Sequence, residues 1–109
     1  MADKILELAK HPDPSLELKY NKFYIGIAKE GLPTNLFILR PKKGFLRFEP
    51  RLENTVETTE LLENSGLDVM DYANRSGRYR IRLKPGEIEK HKEILTKIIK
   101  EAYGAVQPD

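Results

Sequence analysis

The sequence predicts an α+β fold: an antiparallel β-sheet of four or five strands with two helices on one face and a short N-terminal helix. The clearest strand pattern covers residues 78–84, in which apolar and basic residues alternate strictly. Apolar residues recur at helical spacing over residues 87–103. The strand patterns between residues 18 and 49 are separated by short turns, and short connections favour antiparallel pairing. Together these observations favour a sheet whose apolar face is covered by helices.

The length and composition predict one globular domain over residues 1–109. Hydrophobic residues make up 39% and charged residues 33%, a balance that suits a packed core under a hydrated surface. The chain has no cysteine, so a disulfide framework and a thiolate nucleophile are excluded. Because the first residues include acid and lack a long apolar run, and no later stretch is apolar enough for a span, we expect a cytoplasmic protein with no membrane partner.

The first half of the chain reads as one helix and three strands. Residues 3–11 are predicted to form the N-terminal helix. Residues 18–28 are predicted to form one strand, with Phe23, Ile25 and Ile27 on its apolar side. The next two strands are predicted over residues 35–40 and 45–49, with a hairpin turn between them.

The second half of the chain reads as two helices and two strands. In order, we predict a helix over 55–64 capped by Asn54, a brief strand over 68–72, the strand 78–84, and a helix over 87–103 ended by Gly104. The apolar faces of these elements should meet in a single core. Its expected members are Phe23, Ile25, Phe37, Phe48, Ile81, Leu95 and Ile98.

Charge is segregated along a chain whose net charge is only +2. Residues 53–71 contain six acids and no base, whereas residues 75–84 contain five bases and no acid. On a strand, the alternation over 78–84 turns the basic residues into one cationic stripe. If these strands form, Arg40 of the second strand is expected to project to the same face. The candidate anion-binding residues are Tyr20, Lys22, Tyr24, Lys42, Lys43, Arg47, Arg78, Arg80 and Arg82.

Two other interpretations of this stripe stay open. Glu49 shares the predicted cationic face, and the acidic segment or the N-terminal helix could fold across it and neutralise it. A charged strand face also serves solubility and discourages edge-to-edge pairing of sheets. Cations beside exposed tyrosines are nevertheless typical of surfaces that follow a phosphate backbone and stack bases.

Catalytic chemistry finds little support in the residue types present. His91 falls on the apolar side of the last helix, and His11 stands beside a proline far from it, so a zinc site is not expected. Asp13 followed by Glu17 and Lys19 has the residue types of a metal-dependent nuclease signature. That chemistry brings its acids together from two structural elements, and the short gap leaves no room for them. We therefore predict no catalytic residues, no metal and no cofactor.

Several segments carry a resemblance to a known family. They are Lys19-Tyr20-Asn21-Lys22-Phe23-Tyr24-Ile25, Leu39-Arg40-Pro41-Lys42-Lys43, Leu46-Arg47-Phe48, Gly77-Arg78-Tyr79-Arg80-Ile81-Arg82-Leu83 and Ala102-Tyr103. In these the chain resembles a small prokaryotic domain family of unknown function, often labelled "predicted transport protein". The resemblance covers a core unit over residues 18–104. It implies a fold and a C-terminal module found beside nuclease-like and restriction-associated domains, and it implies no enzymatic activity.

The sequence thus predicts a non-enzymatic accessory binding domain. Its first expected partner is a nucleic-acid backbone, bound by the basic sheet face. The alternative is a protein-interaction or self-association module, including a homodimer. For that alternative the expected contact residues are Ile5, Leu8, Tyr103 and Val106, because short apolar termini often become ordered only against a partner.

Overall fold

Seven β-strands form one antiparallel sheet in the computed structural model, which describes residues 2–10 and 13–106. The strands are β1 (Leu16–Tyr20), β2 (Ile25–Lys29), β3 (Leu32–Pro33), β4 (Phe37–Lys42), β5 (Phe45–Pro50), β6 (Asp68–Val69) and β7 (Ile81–Leu83). Their spatial order is β1-β2-β4-β5-β7-β6, and β3 pairs with β2. The predicted α+β class is confirmed. The sheet has two more strands than the five predicted, because the short β3 joins it and the predicted strand 18–28 is two strands, β1 and β2.

Four helices accompany the sheet in the described residues. They are α1 (Ala2–Ala9), α2 (Val56–Asn64), α3 (Glu87–Lys90) and α4 (Lys92–Val106). The predicted helix 87–103 is divided at His91, whose backbone leaves the helical region. Its predicted stop at Gly104 is wrong, since α4 runs on to Val106. The helix predicted over residues 3–11 corresponds to α1, which ends at Ala9. His11 lies outside the described residues.

The cap of α2 is shifted by one residue from its predicted position. Thr55 is the N-cap, and its Oγ1 accepts a hydrogen bond from the Thr58 amide at 3.1 Å. The Asn54 side chain instead accepts hydrogen bonds from Thr59 and Tyr79. A threonine hydroxyl and an asparagine amide cap a helix in the same way, so the sequence alone did not separate the two positions.

One hydrophobic core joins the sheet to the helices. Phe37 and Phe48 meet edge to face with 5.3 Å between ring centroids, and Leu95 and Ile98 of α4 are buried in the same cluster. Six of the seven predicted core residues are buried, as expected. The seventh, Phe23, is 74% exposed, so its assignment to the core was wrong.

The misplaced Phe23 has a simple cause, which is that the predicted strand 18–28 is a hairpin. Tyr20 is the partner of Ile25, and residues 21–24 form the turn between β1 and β2. The Asn21 amide donates to the Tyr24 carbonyl at 2.9 Å and closes this turn. No glycine or proline marks residues 21–24, so the sequence alternation continues through the turn without a break.

Two further strand predictions were too long. Within residues 68–72 only the two residues of β6 form a strand. Within residues 78–84 only the three residues of β7 do, although Arg78 forms isolated bridges with Arg51 and Ala73. The inward and outward alternation predicted for 78–84 still holds, because Tyr79, Ile81 and Leu83 are buried.

The N-terminal helix is part of the core. Ile5 and Leu8 are buried against the rest of the chain, so their predicted role as free contact residues for a partner is wrong. Tyr103 is half-buried and donates to Asp13. The side chain of Val106 lies outside the described residues. No helix in residues 2–10 or 13–106 combines the length and the apolar character that crossing a membrane requires.

Candidate anion-binding face

The strand register places the arginines of β4, β5 and β7 on the sheet face that points away from the core. Arg40 is opposite Arg47, and Arg47 is opposite Arg82. Arg78 is opposite Arg51 through its bridge, and Arg80 alternates with buried neighbours. We call this surface the outer face. The charged members on or next to these strands and β6 include Arg40, Lys42, Arg47, Arg51, Arg78, Arg80, Arg82, Glu49 and Asp68.

Glu49 is the centre of the arginine cluster. Its side chain is only 5% exposed, and Oε2 accepts hydrogen bonds from Arg47 Nε at 2.6 Å and from Arg40 Nε at 3.1 Å. Arg40 also donates through Nη1 to the Phe23 carbonyl at 3.4 Å, and its Cζ lies 5.6 Å from the centre of the Tyr24 ring. One buried carboxylate therefore orients two guanidinium groups and connects them to the β1–β2 turn.

A β-bulge adds the backbone of Asn35 to the arginine cluster. The amides of Thr34 and Asn35 both donate to the Ile27 carbonyl, and Asn35 has a positive φ of 47°. The bulge presents the Asn35 carbonyl to Arg78, whose Nη2 donates to it at 2.8 Å. Gly26 makes room for this arrangement, because a Cβ there would lie 2.8 Å from Asn35 Oδ1.

Arg78 has a partly buried side chain. Its Nε is buried and has no hydrogen-bond partner within the described residues. Burial lowers the pKa of Arg78, and the positive charge of Arg51 lowers it further. Arginine starts from so high a pKa that the group stays charged at neutral pH. The fold thus holds a fixed positive charge beneath the surface of the outer face.

The last two arginines of the row are anchored by β6 and the residues after it. Arg80 Nε donates to the Asp71 carbonyl at 2.8 Å. Arg82 pairs with the Asp68 carboxylate, with 3.1 Å between Arg82 Nε and Asp68 Oδ2. The arginines of the predicted stripe therefore do lie on one face of the sheet. Their charge is partly neutralised by carboxylates, because Asp68 pairs with Arg82 and Glu49 pairs with Arg47 and Arg40.

The outer face keeps a positive excess and outward-facing donors. Six arginines face two carboxylates among its members. Arg47 and Arg80 are held through Nε, and in the described part of the chain nothing accepts a hydrogen bond from their terminal Nη atoms. Such an arrangement fixes the side chains while leaving pairs of N–H groups for an incoming anion.

The other predicted site residues divide into three groups. Tyr24 lies beside Arg40, with which it was predicted to share a face. Lys42 and Lys43 are exposed at the β4–β5 turn, and Lys22 is exposed in the β1–β2 turn. Tyr20 was assigned to the wrong face: it is opposite Ile25 and shares the side of the sheet that holds the core. The extra turn residues between β1 and β2 shift the alternation and cause this error.

Sequence reasoning missed three residues of the cluster and its rim: Phe23, Asn35 and Arg51. Asn35 enters the site through a bulge, and no periodicity signals the positive φ that a bulge requires. Arg51 follows Pro50, beyond the end of the predicted strand. Phe23 is predicted as core because the turn around it carries no breaker residue.

Asp13, the first acid of the nuclease-like sequence pattern, is held by contacts with other parts of the fold. It accepts hydrogen bonds from Ser15 and Tyr103 and pairs with Lys29, with 2.8 Å between Lys29 Nζ and Asp13 Oδ2. Glu17 is exposed on β1, the edge strand. The described residues hold no group of three or more histidine or acidic side chains placed to bind a metal.

Comparisons of the chain with protein-family models, curated proteins and solved structures gave no match. The resemblance to the small prokaryotic family stays a prediction. The fold and the outer face together define an α+β structure with an anchored cationic sheet surface.

Proposed function

We propose that this chain is a non-enzymatic accessory domain that binds a nucleic-acid backbone on its outer face. The observation that carries the proposal is the row of arginines held through Nε across three neighbouring strands, with Glu49 beneath it. A cytoplasmic location, expected from the composition, would bring the domain into contact with nucleic acids.

Anchored guanidinium groups suit a phosphate ligand for two reasons. Because Glu49, Asp68 and the Asp71 carbonyl already fix the side chains, little rotamer freedom is lost when an anion binds. Each guanidinium also presents paired N–H donors that match the oxygens of a phosphate. The contacts are to a backbone rather than to base edges, so we expect binding with little sequence preference.

The test compares two double charge reversals that change net charge equally. Arg80→Glu with Arg82→Glu alters the outer face at exposed or half-exposed positions. Lys97→Glu with Lys100→Glu alters exposed positions of α4, which packs on the other side of the sheet. Binding of fluorescent single-stranded and duplex oligonucleotides is measured by anisotropy at several salt concentrations.

We expect the wild-type chain to bind with micromolar or weaker affinity that falls steeply with salt. The Arg80/Arg82 variant should lose at least about tenfold in affinity and show a shallower salt dependence, since fewer counterions are released. The Lys97/Lys100 variant should bind nearly as the wild type does. Equal losses in both variants would mean that only net charge matters, and no wild-type binding at low salt would favour the protein-interaction or homodimer alternative.

A further inference from the structure

Phe23 is an exposed aromatic ring at the rim of the outer face. It occupies the turn between β1 and β2, its side chain is 74% exposed, and Lys22 Nζ lies 5.3 Å from its ring centre. Neither the core nor the hairpin uses the ring. A single exposed apolar residue is ordinary on a protein surface, so the position of Phe23 relative to the charges decides what it can do.

Contacts of the turn hold the backbone of Phe23 beside the arginine cluster. The Asn21 amide closes the turn onto the Tyr24 carbonyl, and Asn21 Nδ2 donates to the Lys19 carbonyl at 3.2 Å. The Phe23 carbonyl itself accepts from Arg40 Nη1, the guanidinium whose Nε is bound to Glu49. A hydrogen-bonded chain therefore runs from the buried carboxylate to the backbone of the exposed ring.

An aromatic ring next to anchored cations matches the two halves of a nucleotide. A phosphate is attracted to guanidinium groups, and an unpaired base stacks on an aromatic side chain whatever its identity. Lys22 Nζ lies near the Phe23 ring, yet the residue is 74% exposed, so ring surface is available to a base. In a duplex both faces of each internal base are already stacked on neighbours, so a ring outside the helix gains nothing there.

We infer that the ligand class of the outer face is single-stranded nucleic acid, with Phe23 stacking one base while Arg40 and Arg47 hold the adjacent backbone. This inference rests on the proposed function and adds the strandedness of the ligand and the residue that selects it. Phe23 is the selecting residue because backbone contacts alone do not distinguish one strand from two as base stacking does.

The chain contains no tryptophan, which permits a direct optical test. Phe23→Trp places a single indole at the turn, and Leu32→Trp places one at a control position that is 71% exposed in β3. Each variant is titrated with oligothymidylate, oligouridylate and a DNA duplex, and tryptophan fluorescence is recorded. We expect both single strands to quench Phe23→Trp saturably, with little effect of the duplex and little quenching of Leu32→Trp.

Affinities of Phe23→Ala and Leu32→Ala, measured by anisotropy, complete the test. Loss of one stacked base corresponds to a loss of about 5- to 150-fold in single-strand affinity for Phe23→Ala. Duplex affinity of that variant, and both affinities of Leu32→Ala, should stay within about twofold of wild type. If only oligothymidylate or only oligouridylate quenches Phe23→Trp, the site is assigned to DNA or to RNA respectively.

The two proposals fail in different ways. If Phe23→Ala binds single strands as the wild type does while the Arg80/Arg82 variant is impaired, backbone binding stands and base stacking is overturned. If the wild-type chain binds no oligonucleotide at low salt, both are overturned. Equal quenching of Phe23→Trp and Leu32→Trp would show diffuse association and would also overturn the stacking role.

Discussion

At the scale of single residues, Glu49 explains how the sheet tolerates its arginines. Arg40 and Arg47 are directly opposite each other, as are Arg47 and Arg82, and like charges at such positions repel. Glu49 Oε2 accepts from two of these side chains at once, and Asp68 pairs with the third. Burying a carboxylate is costly unless it is paired and hydrogen-bonded, and here both conditions hold. The cluster is thus a structural unit as well as a candidate site.

Gly26 provides a test of the local packing around that unit. A methyl group at this position would lie 2.8 Å from Asn35 Oδ1 and 3.4 Å from Tyr24 Cε2. Gly26→Ala should therefore displace the Asn35 side chain and lower the free energy of unfolding by up to about 1–3 kcal/mol. Urea denaturation followed by circular dichroism gives the measurement.

Gly104→Ala is the matched control for Gly26→Ala. Gly104 lies in α4, its added Cβ would meet nothing within 4 Å, and alanine is the better helix former. This variant should leave stability unchanged or raise it by up to about 1 kcal/mol. Equal stability of Gly26→Ala and the wild type would show that Asn35 moves without cost.

At the scale of elements, the β2–β3 turn uses a backbone conformation that its sequence does not favour. Lys29 is opposite Leu32, which leaves Glu30 and Gly31 as the two turn residues. Both have positive φ, 52° at Glu30 and 81° at Gly31. Two-residue hairpins with this geometry prefer asparagine then glycine. Glu30 is accepted because the pairings on both sides of the turn hold it there.

Glu30→Asn should stabilise the protein by up to about 1 kcal/mol, because asparagine adopts positive φ with less strain than glutamate. Gly31→Ala should do the opposite at the neighbouring position, although the added methyl would meet nothing within 4 Å. Thermal unfolding of both variants measures the two effects. A lower melting temperature for Glu30→Asn would mean that the glutamate makes a contact more valuable than the relief of strain.

At the scale of the whole molecule, Asp13 connects three distant parts of the chain. It follows α1, pairs with Lys29 at the end of β2, and accepts from Tyr103 near the end of α4. The Lys29 and Ser15 contacts hold the pKa of the Asp13 carboxyl well below its ordinary value. A carboxyl with a depressed pKa stabilises the fold above its unfolded pKa of about 3.9, and that contribution disappears as pH falls toward the folded pKa.

Asp13→Asn should therefore destabilise the protein at neutral pH, and the difference from wild type should shrink as the pH is lowered below about 4. Denaturation curves at several pH values measure this convergence. Asp71→Asn, at an exposed position, is the control and should differ little from wild type throughout. A difference that stays constant with pH would show that Asp13 acts through packing rather than through its charge.

The sequence by itself determined the fold class, most of the core and the side of the strand on which the arginines lie. These depend on periodicity, which is a local property: Tyr79, Ile81 and Leu83 are buried because they alternate with Arg78, Arg80 and Arg82. Alternation survives small errors in strand ends, so the prediction held although β7 is short.

Only the tertiary structure decided where that alternation is interrupted and which charges meet. The turn at residues 21–24 and the bulge at Asn35 carry no local signal, yet they exclude Phe23 from the core and bring Asn35 to Arg78. The Glu49 cluster likewise depends on the register of β4 against β5, which is fixed by packing between strands. Periodicity shows which face of a strand is buried. Pairing between strands decides which side chains contact each other on the opposite, outer face.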